Sequence, residues 1–369
     1  MNHQETWFRA LEESFLGCPA SLPRVESWYR ICGLPVRLLS VGPAPLDIVD
    51  RAIRHLRLAG APAATTAAPV EASLTVLLFD GADTSVPVPP PPGRLEDFTA
   101  RGDILGFNTD RIKAAFQPFG RILSAFDTER GLGICCFGAV DRVLSFEKAA
   151  PLRSMFAWWA RLHGFQIMHA AVVGRSDGGL LLAGKGGSGK SNTALACLAS
   201  SMAFAGDDVC AMGIEDDEPV AHSLYATART RPRDWVRLPF LEALSHQAVG
   251  TGEDEKALYY LLPAFARQVI RRAPVRAILL PRVGGGPSSR LQPTSQSAAL
   301  MAIAPVTTTL LPDAGPEIFE AVGRLVRRVP CYELQLGTDV AALQATLTNL
   351  LARLGVDIDR PESDDTAGR

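Results

Sequence analysis

At 369 residues, with 37 basic against 39 acidic side chains, the chain has a formal charge of −2 and is long enough for two domains. That balance, with no dense Lys/Arg block, argues against nucleic acid as a partner. Seven cysteines without CxxC spacing argue against a disulfide framework or a zinc site, and no apolar run reaches the ~18 residues that span a bilayer.

The amino-terminal residues Met1 to Trp7 show neither the cationic nor the apolar region of a secretory signal, so the expectation is a cytoplasmic protein with no membrane partner. Residues 1–145 read as an α/β module. Trp7, Leu11 and Phe15 repeat at helical spacing, Leu34 to Val41 is extended, and Ile48, Ile53 and Leu56 mark a second helix. An Ala/Pro/Thr-rich connection near Gly60 to Pro69 leads to a strand at Leu74 to Phe79. Residues Pro87 to Gly93, with five prolines, are expected in an exposed loop of polyproline character.

A second module is expected over 151–354. It opens with a helix at Leu152 to Leu162, whose Trp158 and Trp159 are read as packing residues where domains meet, a functional stacking platform being the alternative. Then come strands at Gln166 to Val173 and Leu180 to Ala183, a Gly-rich loop, a helix, and a strand at Met202 to Ala205. A helical pattern over Glu255 to Arg272, broken near Pro263, precedes a strand at Val275 to Leu280, a Gly-rich turn at Gly284 to Gly286 and a helix at Ser295 to Ile303. A strand at Cys331 to Leu336 and a helix at Val340 to Leu354 complete it, and the polar tail 355–369 is expected to be disordered. The Arg-rich stretches at 229–237 and 267–276 are interleaved with Pro, Trp and aliphatic residues, as anion contacts or solvated faces would be.

Residues 184–191, GKGGSGKS, are a complete P-loop placed between a strand and a helix. Glycines let successive N–H groups turn inward around phosphate oxygens; Lys190 reaches the β/γ-phosphates and Ser191 offers its hydroxyl to Mg²⁺. The nucleotide contacts are expected from Gly184, Lys185, Gly186, Gly187, Ser188, Gly189, Lys190, Ser191 and Asn192. A chance match in a Gly-rich chain is the alternative. Lysine usage argues against it, because the chain has only five lysines among its 37 basic residues and two of them stand in this loop.

Gly206-Asp207-Asp208 ends an apolar strand, and ligands of open α/β sheets gather at the carboxyl ends of strands. Two carboxylates there can divide the work, one taking a proton from an attacking hydroxyl and the other holding Mg²⁺. A solvated turn is the alternative. His169 stands just before an apolar strand and, taken alone, reads as a structural histidine.

Taken in order, His169, the P-loop and the Asp207–Asp208 pair resemble the catalytic domain of the HPr kinase/phosphorylase family of bacterial serine kinases. In that family a His leads a strand hairpin into a P-loop, and an Asp-Asp element closes the site after the next helix. Here His169 lies fifteen residues before Gly184, and Asp207 twenty-three after it. The resemblance implies an α/β fold: a P-loop kinase domain of the HPr kinase type with a mixed sheet, plus a smaller N-terminal α/β module to which substrate recognition is open. It implies ATP and Mg²⁺ as cofactors and serine phosphorylation of a peptide or small protein. Asp207 would take the serine proton, Asp208 would bind metal or orient substrate, Lys190 and Ser191 would contact phosphate and Mg²⁺, and His169 would support the site. The family's Glu-x-Arg-Gly-x-Gly element is replaced here by residues Thr227 to Arg237, and the overall pattern is similar to diverged relatives such as lasso-peptide precursor kinases. Arg229 and Arg231 would steady the transferring phosphoryl group or dock an acidic peptide, or else lie on the surface. A small-molecule hydroxyl kinase and a non-catalytic nucleotide-responsive binding protein remain the other readings, and the oligomeric state stays open, a homo-oligomer included.

Overall fold

The computed structural model describes residues 2–62, 71–84, 86–231, 238–241, 244, 246–247, 256–284 and 286–358. It divides into two compact α/β units, Met1–His163 with Thr309–Ala314, and Gly164–Thr308 with Gly315–Arg369.

The first unit holds α1 (His3–Leu16), β1 (Arg24–Ile31), β2 (Leu34–Val41), α2 (Pro43–Ile53), β3 (Leu74–Asp80), β4 (Ile112–Gln117), β5 (Ile122–Asp127), β6 (Leu132–Phe137), α3 (Ser145–Ala149) and α4 (Arg153–Leu162). Its six strands form one mixed sheet in the order β1-β2-β3-β6-β5-β4. The central β3 has parallel neighbours on both sides, which explains its near-continuous apolar sequence. Helix α1 begins with a capping box between Asn2 and Glu5 and buries Trp7, Leu11 and Phe15. The proline-rich segment is a loop, but not wholly a solvated one: Ser14 Oγ donates to Pro87 O at 2.8 Å and Trp7 Nε1 to Pro90 O at 3.1 Å.

The second unit contains β7 (Gln166–Met168), β8 (Ala170–Arg175), β9 (Gly178–Ala183), α5 (Lys190–Leu198), β10 (Ala203–Gly206), β11 (Cys210–Glu215), β12 (Glu218–Ser223) and β13 (Thr227–Thr230). It continues through β14 (His246–Gln247), β15 (Ala257–Tyr260), β16 (Arg272–Val283), β17 (Arg290–Pro293), α6 (Gln296–Leu310), α7 (Glu317–Val326), β18 (Cys331–Leu336) and α8 (Val340–Arg353). A nine-stranded mixed sheet follows the order β10-β8-β9-β16-β12-β11-β7, with β18 paired to β16 and β17 to β18. A separate three-stranded sheet runs β13-β15-β14. Helices α5 and α8 cover the main sheet through a core that includes Leu180, Leu182, Leu195, Leu198, Leu347 and Leu351.

Several elements differ from the sequence reading. Helix α4 falls within the first unit and not at the head of the second, with Trp158 and Trp159 both buried there. The expected strand over 166–173 is two strands broken at His169. β7 pairs with β11, whereas β8 pairs with β9 and β10. The helical pattern over 255–272 is instead β15, a set of turns and the start of β16; all four residues of β15 are buried in a ladder with β13, a non-local pairing that helical spacing does not reveal. Of the expected disordered tail, Val356 is buried and Ile358 packs on the core, because Gly178 leaves space that Val356 fills; residues 359–369 lie outside the described residues. Most of the connection near 60–69, and residue 285 of the Gly-rich turn, also lie outside them. All seven cysteines are free and buried, and burial pushes the Cys136, Cys197 and Cys210 thiols up to about 12, as small core residues require. Among the described residues no helix is long and apolar enough to cross a membrane.

Candidate functional site

Strand direction brings the sequence-predicted residues together. Both β9 and β10 are antiparallel to β8, so they run the same way, and their carboxyl ends share one edge of the sheet with the start of β8. The end of β9 feeds the P-loop, the end of β10 feeds Asp207, and the start of β8 follows His169. The register pairs Ala170 with Ala183, which sets His169 beside Gly184 across the ladder. A residue that looked isolated in sequence is thereby placed at the mouth of the loop.

The loop owes its path to glycine. Gly184, Gly187 and Gly189 have φ of +146°, +81° and +105°, in the region that L side chains rarely adopt. A Cβ on Gly189 would be driven well inside van der Waals contact of Leu336 Cδ1 at the end of β18, whereas a Cβ on Gly186 or Gly187 would meet nothing within 4 Å. Gly189 is therefore needed for packing, whereas Gly186 and Gly187 leave open space on the outer face of the loop. Lys190 is 4% exposed; its Nζ donates to Gly184 O at 2.6 Å and to Lys185 O at 3.4 Å. Burial lowers its pKa, against the opposing pull of Asp208 and Asp207. The Ser188 and Thr193 hydroxyl oxygens are buried without hydrogen-bond partners among the described residues. Asn192 Oδ1 accepts from Thr230 Oγ1 at 2.7 Å, which ties the start of α5 to β13.

Asp207 is 4% exposed; neither carboxylate oxygen has a well-formed hydrogen bond among the described residues, although the Ser191 hydroxyl lies close enough to act on it as a donor. Burial and then the charge of Asp208 push it up to about 7, with Lys256, the Ser191 hydroxyl and Lys190 pulling it back. Asp208 behaves oppositely. Burial acts to raise it too, but the combined charge of Lys256, His169, Lys190 and Arg229 holds it below its ordinary value. Its backbone is left-handed, at φ +61°, and its Oδ1 stands 3.9 Å from His169 Nε2. The His169 backbone N–H donates to Thr307 Oγ1 of α6 at 3.0 Å.

Of the two arginines read from the sequence, Arg229 on β13 acts on Asp208; Arg231 lies just past the strand and is not among the leading charges on the pair. Residues 232–237 of that Arg-rich stretch lie outside the described residues. Lys256, Thr230, Thr307 and Leu336 also shape the site, although no motif marks them. For Lys256 the scarcity of lysine was the available signal.

The donors fit the groups that the P-loop implies. A P-loop backbone and Lys190 suit a polyphosphate, and the Ser191 hydroxyl with the Asp208 carboxylate are hard oxygen donors of the kind Mg²⁺ takes in small number beside phosphate and water. The Asp207 oxygens leave acceptor capacity at the same place.

No family model matches the chain, and no curated protein matches it. Among solved structures, the Hpr(Ser) kinase/phosphatase from Coxiella burnetii aligns over 52% of this chain and 93% of its own, with 12% identity and a TM-score of 0.31. The likeness is distant and assigns neither an activity nor a site.

Proposed function

We propose that the second unit is an ATP- and Mg²⁺-dependent phosphotransferase that places a phosphoryl group on a serine hydroxyl of a peptide or small protein. The observation that carries this reading is Asp207, a carboxylate buried beside a P-loop whose hydrogen-bonding capacity is left largely unmet, with only the Ser191 hydroxyl close enough to act on it as a donor. Burying an unsatisfied acceptor costs about 1–3 kcal/mol, so such a group calls for an explanation in use. Its raised pKa suits a general base working near neutral pH. The ordered spacing of His169, the P-loop and the Asp pair, similar to that of HPr kinase/phosphorylase enzymes, supports the same reading.

In the proposed reaction, an Asp207 oxygen accepts the proton of the serine hydroxyl as the serine oxygen bonds to the γ-phosphorus. The bond from that phosphorus to the β–γ bridging oxygen breaks, and ADP departs with the electron pair. Lys190 and the loop N–H groups hold the phosphates in line. Ser191 and Asp208 would hold Mg²⁺, which when bound would supply charge neutralisation on the phosphate oxygens. His169 keeps Asp208 oriented, and Arg229 faces the same charge.

Incubation with Mg²⁺, γ-labelled ATP, serine-containing peptides and hydroxylated metabolites, followed by mass spectrometry, tests the reading. Phosphoserine in a peptide, lost in Asp207→Asn, is the expected result. Transfer to a metabolite alone would replace the peptide acceptor with a small molecule. Nucleotide binding without transfer to any acceptor would refute the kinase reading in favour of a nucleotide-responsive binding protein.

A further inference from the structure

The roles above leave Lys256 without a function. It is one of five lysines in a chain that otherwise uses arginine, and it stands beside the site. Lys256 immediately precedes Ala257 of β15, which pairs with Thr230 of β13. Thr230 is the residue whose hydroxyl bonds Asn192 at the start of α5. That bond anchors the β13–β15 ladder to the P-loop helix, and Lys256 lies one residue beyond the anchored pair.

The charge of Lys256 acts on Asp207, Asp208 and Lys190, which puts it within electrostatic reach of all three. It nevertheless makes no ion pair within 4.0 Å among the described residues. Among the described residues, even with both aspartates ionised, the three cations Lys190, Lys256 and Arg229 exceed them by one positive charge. The two aspartates offset part of the repulsion between the converging ammonium groups, and a bound anion would offset the remainder. The excess charge has the sign a phosphate requires.

We infer that Lys256 is a second phosphate-contacting residue, reaching the terminal phosphoryl group from the β13–β15 ladder while Lys190 reaches it from the P-loop. The inference rests on the reading of this loop as an ATP site. A compact ammonium placed there meets the charge spread over the oxygens of the transferring group, where cationic contacts act most strongly. It also gives the three-stranded sheet a purpose: β13 brings Arg229, and the residue just before β15 is Lys256, so the ladder delivers two cations whose charge acts on Asp208.

The test measures binding of Mg²⁺ with ADP, and of Mg²⁺ with a non-hydrolysable ATP analogue, to the full chain and its Lys256→Met variant by calorimetry. Phosphotransfer is measured alongside. Affinity for the analogue is expected to fall about tenfold, affinity for ADP to stay within about twofold, and turnover to fall by about 10²–10³. Lys256→Arg should restore part of the preference for the analogue. Equal losses for both nucleotides, or no loss for either, would overturn the role of Lys256 and leave the ATP site standing. A wild-type protein that binds neither nucleotide would overturn the ATP site itself, and the role of Lys256 with it. If thermal melting shows that Lys256→Met is unfolded, Lys256→Gln carries the same comparison.

Discussion

Asp207→Asn is expected to stop phosphoryl transfer while making the ligand-free second unit less sensitive to rising pH. The folded state raises the Asp207 pKa from its ordinary 3.8 to about 7. A group shifted upward in this way favours the folded state fully below pH 4, and the advantage is lost as pH rises to 7, because the unfolded chain releases the proton first. At about 1.4 kcal/mol per pH unit of difference, the full shift corresponds to about 4 kcal/mol lost between pH 4 and pH 7. Asn cannot ionise, so it removes this slope. It leaves a buried amide short of partners, at a pH-independent cost of about 1–3 kcal/mol. The measurement is thermal melting of wild type and variant from pH 5 to pH 8 in a chelator, following the transition of the second unit. The melting-temperature difference should move in favour of the variant by several degrees as pH rises, given about 2–4 °C per kcal/mol for a unit of this size. A difference that stays constant from pH 5 to pH 8 would show that Asp207 is not held in a charge-excluding environment.

Three further outcomes follow from packing and burial. Gly189→Ala should cost about 2–4 kcal/mol and abolish nucleotide binding, since it combines a left-handed backbone with a Cβ forced onto Leu336; calorimetric titration with ADP checks it. His222, whose ring lies 2.6 Å from Glu215 and edge-on to Phe165, has its pKa lowered by burial against the pull of Glu215. The folded state therefore favours its neutral form. The stability this gives is present above about pH 6.5 and is lost as pH falls below it, so His222→Gln should flatten the acid limb of a melting profile. Val356→Ala should cost about 1–3 kcal/mol in denaturant unfolding of the second unit; no change would show that the packing over Gly178 carries no weight.

Local chemistry was legible where it repeats at short range. The Cys331–Leu336 and Leu34–Val41 strands match the sequence reading residue for residue, because alternating or continuous apolar runs state their own period. Strands β11 and β12 were missed. Each mixes acidic residues into a short apolar run, as in Cys210–Glu215 and Glu218–Ser223, and is held by its neighbours in the ladder.

By itself the sequence determined the P-loop motif: eight residues in a required order between a strand and a helix, with two of the chain's five lysines among them. It also placed two adjacent carboxylates after an apolar strand. Only the tertiary structure decided that these belong to one site, because strand direction is a property of the whole sheet and cannot be read from any one strand. The same holds for charge. Nothing in Asp207 and Asp208 as neighbours says that one carboxyl is raised and the other lowered; burial together with Lys256, His169, Lys190 and Arg229 divides them. Arg229 on β13 and Lys256 just before β15 come to Asp208 through a non-local ladder, a meeting that sequence distance conceals and folding enforces.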